Sequence, residues 1–316
     1  MSSYLVTGGA GFIGSNIVER LVEQGEQVRV IDNFITGKRE NLAPFMNNIE
    51  LLEGDIRNID DLKKACRGVD YILHQAALRS VPKSVDNPLL TNEININGTL
   101  NLLMIAKEMD VKMVVYASSS SIYGERTNFP EREGDLPRPI SPYAVSKLAG
   151  EYYCQTFSAT FGLETVSLRY FNVFGPRQNP ESKYSAVIPA FISRMLADKP
   201  PIVESDGRQA RDFTYVSNVV DANLSAATKT ELSGQVFNVA CGKTTTILEI
   251  VKDLNEILEK KLKPEFAPKR QGDVKKTIAD ISKLHTILNL KPRIQFKQGL
   301  QKTVAWFKKD PFSPIL

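Results

Sequence analysis

Two textures alternate along the first half of the chain. Short apolar runs rich in β-branched and aromatic residues fall at 4–7 (YLVT), 28–31 (VRVI), 49–52 (IELL), 69–73 (VDYIL), 113–117 (MVVYA) and 165–168 (TVSL). Between most of them apolar side chains recur at helical spacing, most clearly at 12–24, 90–109 and 143–161. Strands alternating with helices predict a parallel sheet covered on both faces, an α/β fold. Beyond about residue 175 the alternation loosens, and Pro176, Pro180, Pro189, Pro200 and Pro201 interrupt it. Helical spacing returns at 217–229, 246–259 and 296–309. This second texture predicts a smaller mixed α/β lobe on the end of the sheet. The expected division is 1–172, with later segments returning to the sheet, and 173–316 for most of the lobe.

Composition narrows the function classes. A chain of 316 residues with 42% hydrophobic and 24% charged residues can bury a full core and has an ordinary globular make-up. No run approaches about 18 consecutive apolar residues, so no membrane span is expected. The first strand-like run begins near Tyr4, leaving no room for a targeting peptide, and the cytoplasm is the expected location. Cys66, Cys154 and Cys241 are far apart and odd in number, which predicts single buried thiols rather than disulfides or metal ligands. With His74 and His285 alone, no metal site or histidine triad is expected. The net charge of +4 favours no partner, and the basic stretch 260–276 is broken by Pro, Glu, Phe and Asp. No nucleic-acid partner is expected.

The stretch 3–14, SYLVTGGAGFIG, is a strand followed by Gly8, Gly11 and Gly14 at the opening of an amphipathic helix. Glycines there let the backbone turn tightly and approach a pyrophosphate, which the helix N-terminus attracts. Asp32 ends the second strand eighteen residues after Gly14. A carboxylate at that place accepts hydrogen bonds from ribose hydroxyls and repels a 2′-phosphate, which favours NAD over NADP on a Rossmann-type doubly wound sheet. "GDIRN" (54–58) and "HQAA" (74–77) end the next two strands. Ligands lie at the carboxyl ends of such strands, so Asp55, Ile56, Gln75, Ala76 and Ala77 are placed to line the adenine and pyrophosphate.

The run "ASSSSIYG" (117–124) ends a buried strand in four hydroxyls, and "SPYAVSKLAGE" (141–151) follows it. Tyr143 and Lys147 are four apart on an expected helix whose start Pro142 fixes, so both side chains share one face.

Together, the glycine spacing, Asp32, the serine-rich strand end and Tyr143-x-x-x-Lys147 resemble the extended short-chain dehydrogenase/reductase family. "ALRSVPKSVDNP" (77–88), "LRYFNVFGPRQNP" (168–180), "YSAVIPAF" (184–191), "QARDFTYV" (209–216) and "APKRQGDV" (267–274) are similar to its nucleotide-sugar 4-epimerases, above all those acting on UDP-N-acetylglucosamine. The resemblance covers essentially the whole chain.

It implies a tightly held NAD, with Phe12, Ile13, Asn33, Gly37, Arg79, Asn95, Tyr143, Lys147, Tyr170 and Phe171 joining the cofactor residues above. Phe171 is expected to pass under the nicotinamide. Ser119, Tyr143 and Lys147 are implied as the catalytic set. Beside a lysine ammonium and an oxidised nicotinamide, a phenol with an ordinary pKa of about 10 is expected to be depressed. Tyr143 then takes the proton of the sugar 4′-hydroxyl while hydride leaves C4′ for NAD. Reduction of the 4-keto sugar on its other face inverts C4′.

For a UDP-sugar substrate, the resemblance implies Ser80, Ser119, Ser120, Ser121 and Tyr143 around the sugar and Asn172 on a phosphate or sugar oxygen. Ala186 and Val187 are implied against uracil, with Ile202 and Glu204 nearby. Arg211 and Arg270 are implied as diphosphate clamps, a role that suits a planar guanidinium, and Asp273 on the ribose. Thr277 is implied to bound the pocket at the sugar C2 substituent, where a small residue leaves room for an N-acetyl group. UDP-GlcNAc and UDP-GalNAc are therefore expected, with UDP-Glc and UDP-Gal as further substrates because Arg79 is larger than the residue expected of strictly acetyl-specific enzymes.

Rival readings share the fold. A 4,6-dehydratase needs carboxyl groups at the positions filled here by Ser120 and Ser121, and a UDP-glucuronate decarboxylase expects a glutamate at the second of them. A UDP-glucose 4-epimerase remains open, and so does a UDP-glucuronate 4-epimerase, with Arg79 as its carboxylate partner. From another class, a non-catalytic NAD-sensing regulator would not need the intact Ser–Tyr–Lys set. Helices 90–109 and 143–161 carry apolar residues (Leu100, Leu103, Met104; Leu148, Tyr152, Phe157) for both core packing and the homodimer interface that the resemblance implies.

Overall fold

The structure, a computed structural model, describes residues 1–180, 186–268 and 274–309. Its first half forms β1 (Ser3–Thr7), α1 (Phe12–Glu23), β2 (Gln27–Asp32), β3 (Ile49–Glu53), α2 (Ile59–Cys66), β4 (Tyr71–His74), α3 (Val81–Asp86), α4 (Pro88–Asn92), α5 (Gly98–Glu108), β5 (Met113–Ser119), α6 (Pro142–Phe161) and β6 (Thr165–Tyr170). Then come β7 (Val173–Phe174), α7 (Val187–Leu196), β8 (Ile202–Glu204), β9 (Ala210–Arg211), β10 (Thr214–Tyr215), α8 (Val216–Thr228), β11 (Gln235–Val239), β12 (Thr245–Thr246), α9 (Ile247–Leu258), β13 (Glu265–Ala267), α10 (Ser282–Leu288) and α11 (Phe296–Lys309).

Seven strands pair in the order β11-β6-β5-β4-β1-β2-β3, and every pairing is parallel. Side chains alternate across the sheet, so Val6, Val30 and Leu168 pack on one face with Ile17, Leu21, Val219 and Val220 of α1 and α8. Leu5, Ile31 and Ile72 pack on the other with Leu62, Leu102 and Leu103. Burial on both faces explains why the central strands read as continuous apolar runs. The strand order reverses between β1 and β4, which opens a crevice at their carboxyl ends. A third core, built from Phe174, Phe191, Phe213, Ile250, Leu254 and Leu300, holds the smaller lobe together.

Four features depart from the sequence expectation. The 90–109 pattern is interrupted by a π-helical turn, Glu93–Asn97, between α4 and α5. β11 is a seventh strand of the main sheet that the list of apolar runs omits. α7 forms although Pro189 lies within it, because a proline in the first turn has no helical carbonyl behind it to block. α10, too, has no counterpart in the helical patterns read from sequence.

Candidate active site

Between β1 and α1 the chain folds so tightly that side chains are excluded. Gly8 has φ +66, and a Cβ there would sit 2.8 Å from the Ala76 backbone; one on Gly14 would sit 2.2 Å from the Gly8 carbonyl oxygen. Gly11 is the N-cap of α1, and no side chain caps that helix. Asp32 is buried at the end of β2, where its carboxylate accepts from Ala10 N at 2.9 Å and from Phe34 N at 2.8 Å. Burial raises its pKa, and the two backbone donors oppose that rise. A glycine cradle, a helix N-terminus and a carboxylate at the next strand end fit a dinucleotide.

The cavity above this turn is lined by Gly8, Gly11, Phe12, Ile13, Gly14, Asp32, Asn33, Gly37, Ile56, Gln75, Ala76, Ala77, Arg79, Tyr143, Lys147 and Tyr170, all expected from sequence. Three expected residues point elsewhere. The Asp55 carboxylate is held by Arg57, at 3.0 and 2.7 Å, and by Asn33 at 2.8 Å, which keep it ionised down to about 2. Asn95 sits on the π-helical turn beneath the cavity wall. It accepts from Leu78 N at 2.7 Å and donates to Leu78 O at 3.1 Å and Ser146 Oγ at 3.0 Å, so it holds the 75–79 loop rather than facing the cavity. Phe171 is fully buried in a separate cluster with Ile122, Tyr123, Ala240 and Ala279. The cavity is also lined by Lys38, Asn41, Arg177 and Asn179, which sequence reasoning missed. Arg177 and Asn179 lie inside the quoted GPRQNP stretch, and Arg177 pairs with Glu19 of α1 at 2.9 Å.

Tyr143 and Lys147, expected as catalytic from the sequence, line the wall of this cavity. Ser141 caps α6 by accepting from Ala144 N at 3.2 Å, and Pro142 opens the helix. α6 then presents Tyr143 and Lys147 toward the end of β5. Lys147 is buried, donates to Ala117 O at 2.8 Å and lies 5.0 Å from the Tyr116 ring centre. Burial pushes its ammonium down to about 7. The Tyr143 phenol is raised by burial, while a hydrogen bond with Ser119 and the Arg79 guanidinium pull it down. This corrects the expected depression by Lys147. The lysine is turned onto the Ala117 carbonyl, and desolvation of the phenolate is the largest effect.

The four serines divide. Ser118 ends its side chain on Glu151, on the buried side of β5. Ser119 Oγ accepts from Ser121 N at 3.1 Å, and its hydroxyl acts on Tyr143 by lowering the phenol's pKa. Ser120 is half-buried, and the Ser121 hydroxyl is buried without a hydrogen-bond partner among the described residues. Ser119, Ser120 and Ser121 line neither of the two cavities described here. Ser80 caps α3 with φ 112, accepting from Lys83 N at 3.4 Å.

A second cavity lies in the smaller lobe, where Asn172, Ala186, Val187, Ile202, Glu204 and Arg211 line it together with Phe174, Phe213 and Ile247. Arg211 is buried; it donates to Ala210 O at 2.9 Å and to Val274 O. The Asp212 carboxylate accepts instead from Cys241 N and Gly242 N, each at 2.9 Å. Asn172 has φ 34, and its side-chain nitrogen donates to Asp212 O at 3.0 Å and to Thr277 Oγ1 at 3.1 Å. Thr277 is therefore a buried brace behind Asn172, outside both cavity linings. Arg270 and Asp273 lie outside the described residues.

A profile of the NAD dependent epimerase/dehydratase family matches residues 4–240. The chain belongs to that family. A solved structure of the UDP-N-acetylglucosamine 4-epimerase of Methanobrevibacter ruminantium M1, in complex with UDP-N-acetylmuramic acid, is 42% identical. It superimposes with a TM-score of 0.93, covering 97% of this chain and 98% of that one. The UDP-glucose 4-epimerase of Thermotoga maritima, solved with UDP-glucose, is 38% identical, with a TM-score of 0.92 over 97% and 98% of the two chains. The UDP-glucuronate 4-epimerase of Thermodesulfobacterium geofontis is 36% identical over 98% of this chain and 97% of its own. This member of the NAD dependent epimerase/dehydratase family is an enzyme, and its cofactor is NAD.

In this family member, two buried networks stiffen the site, and sequence reasoning missed both. Arg169 grips Glu151 through two hydrogen bonds of 2.9 and 2.8 Å and donates to Tyr123 Oη at 2.8 Å, which in turn donates to Asn238 Oδ1 at 2.7 Å. This chain ties α6 to β6 and β11. On the cofactor side, Thr99 donates to Asn95 O at 2.6 Å, so its oxygen accepts from His74 Nε2–H at 3.0 Å. His74 Nδ1 then accepts from Thr7 Oγ1 at 2.7 Å, and burial pushes the imidazole down to about 3, leaving it neutral. Among the described residues, no helix is long and apolar enough to cross a membrane.

Proposed function

We propose that this enzyme is a UDP-sugar 4-epimerase that interconverts UDP-GlcNAc and UDP-GalNAc and also accepts UDP-Glc and UDP-Gal. The observation that carries the reading is the placement of Tyr143 and the buried Lys147 on the wall of the cofactor cavity with Ser119 beside the tyrosine, together with serines rather than carboxylic acids at 120 and 121. The relatives named above, all 4-epimerases of UDP-sugars, support the reaction class. The phenylalanine-rich cavity in the smaller lobe, with Arg211 on its wall, supports a uridine nucleotide there: apolar walls suit a base and a guanidinium suits a diphosphate.

Bound NAD supplies the hydride acceptor and donor for C4′ of the sugar. The chain's own residues handle the proton and the geometry. Tyr143 accepts the 4′-hydroxyl proton as C4′ is oxidised and returns it when the opposite face is reduced, so proton and electron counts both close. Ser119 orients the same oxygen, and Lys147 is fixed to Ala117 O on the face of α6 that carries Tyr143, with its ammonium pushed down to about 7 by burial. Because Ser120 and Ser121 cannot serve as a carboxylic acid and a carboxylate, the 4-keto sugar keeps its C6 hydroxyl and C5 proton.

The acetylated sugars rest on Thr277. Its buried hydroxyl receives the Asn172 amide, so a larger side chain there would push into the floor on which Asn172 is held. Thr277→Tyr is expected to lower kcat/KM for UDP-GlcNAc by about 10-fold or more and to spare UDP-Glc, as measured by coupled assay of both substrates. Native turnover of UDP-GlcNAc by this variant would refute the proposed sugar preference. We also propose that the enzyme acts as a homodimer.

A further inference from the structure

Between the ends of β4 and β6, three side chains close a ring of hydrogen bonds. Gln75 Nε2 donates to Asn223 Oδ1 at 3.0 Å, Asn223 Nδ2 donates to Tyr170 Oη at 2.8 Å, and Tyr170 Oη donates to Gln75 Oε1 at 3.2 Å. Gln75 and Tyr170 line the cofactor cavity, while Asn223 is fully buried on α8 and lines neither cavity.

The sense of the ring is set by the helix itself. Asn223 Nδ2 also donates to Val219 O at 2.8 Å, and a carbonyl can only accept, so the nitrogen of this amide must face that way. With the Asn223 amide fixed, its oxygen faces Gln75, which must present its nitrogen. The Tyr170 hydroxyl, already accepting from Asn223 Nδ2, has two acceptors for its own proton, Asn223 Oδ1 at 3.1 Å and Gln75 Oε1 at 3.2 Å. Each amide therefore has one orientation at the cavity wall, and the bonds of the ring reinforce one another. β5 lies between β4 and β6 in the sheet, so no backbone ladder joins Gln75 to Tyr170 directly.

From this geometry we infer that Asn223 is a positioning residue for the cofactor: it locks Gln75 and Tyr170 in the orientation that retains NAD. The inference rests on the proposal that NAD occupies this cavity. Opening the ring leaves buried amide and hydroxyl groups unpaired at a wall that must match its ligand, an effect worth about a tenfold loss of affinity.

The test compares Asn223→Leu, Tyr170→Phe and the double variant with the wild type. NAD that stays bound through gel filtration is quantified after denaturation, and the NAD dissociation rate is followed on dilution. Each single variant is expected to release NAD about tenfold faster, and the double variant to be no worse than either single, because a ring can be opened only once. Tyr170→Phe removes one hydroxyl and carries the test should Asn223→Leu not fold. A part in stability alone would lower the melting temperature without altering NAD release. Gly14→Val, whose side chain would collide with the Gly8 carbonyl, separates the two levels of the proposal. If it loses NAD while the ring variants hold NAD as tightly as the wild type, the inference is overturned. If Gly14→Val keeps NAD as well, the cavity assignment falls and takes the inference with it.

Discussion

His74 shows how a single residue can matter without touching the reaction. Thr7 and Thr99 take both of its ring nitrogens, and burial holds the imidazole neutral down to about 3 against an ordinary value of 6.5. The folded-state pKa is the lower one, so the unfolded chain binds the proton first as pH falls. The stability tied to His74 is present above pH 6.5 and is lost as pH drops toward 3. Thermal melts across that window should fall more steeply for the wild type than for His74→Asn, whose amide has no comparable titration. Parallel curves would show that another group governs acid unfolding. At this scale the residues that spacing marks were legible: the glycines, Asp32, Tyr143 and Lys147 all reach the cavity. Asn95, Asn223 and Glu151 were not read for their actual parts. An asparagine or a glutamate inside an amphipathic stretch looks like any solvated residue until the fold supplies its partner.

Among the elements, α6 does two jobs. Its inner face buries Cys154 and Phe157 and carries Tyr143 and Lys147, the proposed catalytic pair; its outer face leaves Val145 49% and Tyr152 52% exposed, and Met104 of neighbouring α5 51% exposed. Leu103 and Phe157 are core residues, so the stripe that sequence could not divide is now divided. A second copy pairing these helices would cover the exposed members, and sedimentation velocity at micromolar concentration should give a dimer. A monomer there, or a dimer unaffected by Tyr152→Glu, would exclude this face as the interface. Elements with strong periodicity were readable to within a residue or two, as with α1, α6 and α8. The π-helical turn was not, because its extra residue serves a tertiary need, bringing Asn95 against Leu78. β11 escaped because its pairing partner β6 lies far back in the sequence, and long-range pairing leaves no local signature.

At the scale of the molecule, a parallel sheet whose order reverses between β1 and β4 opens the cofactor crevice, and a lobe with its own aromatic core supplies the second cavity. The α/β architecture, the family and NAD as cofactor follow the sequence reading. The sugar was less legible: Thr277 braces Asn172 from outside both cavity linings, and residues 269–273 lie outside the described ones. The most direct measurement gives the purified enzyme UDP-GlcNAc with no added NAD and follows the products by NMR, with Tyr143→Phe as the paired sample. UDP-GalNAc should appear without net change in bound cofactor, and Tyr143→Phe should be slower by about 10²–10⁴-fold. A 4-keto-6-deoxy product, or no conversion by protein that holds NAD, would contradict a 4-epimerase that ends at inversion of C4′.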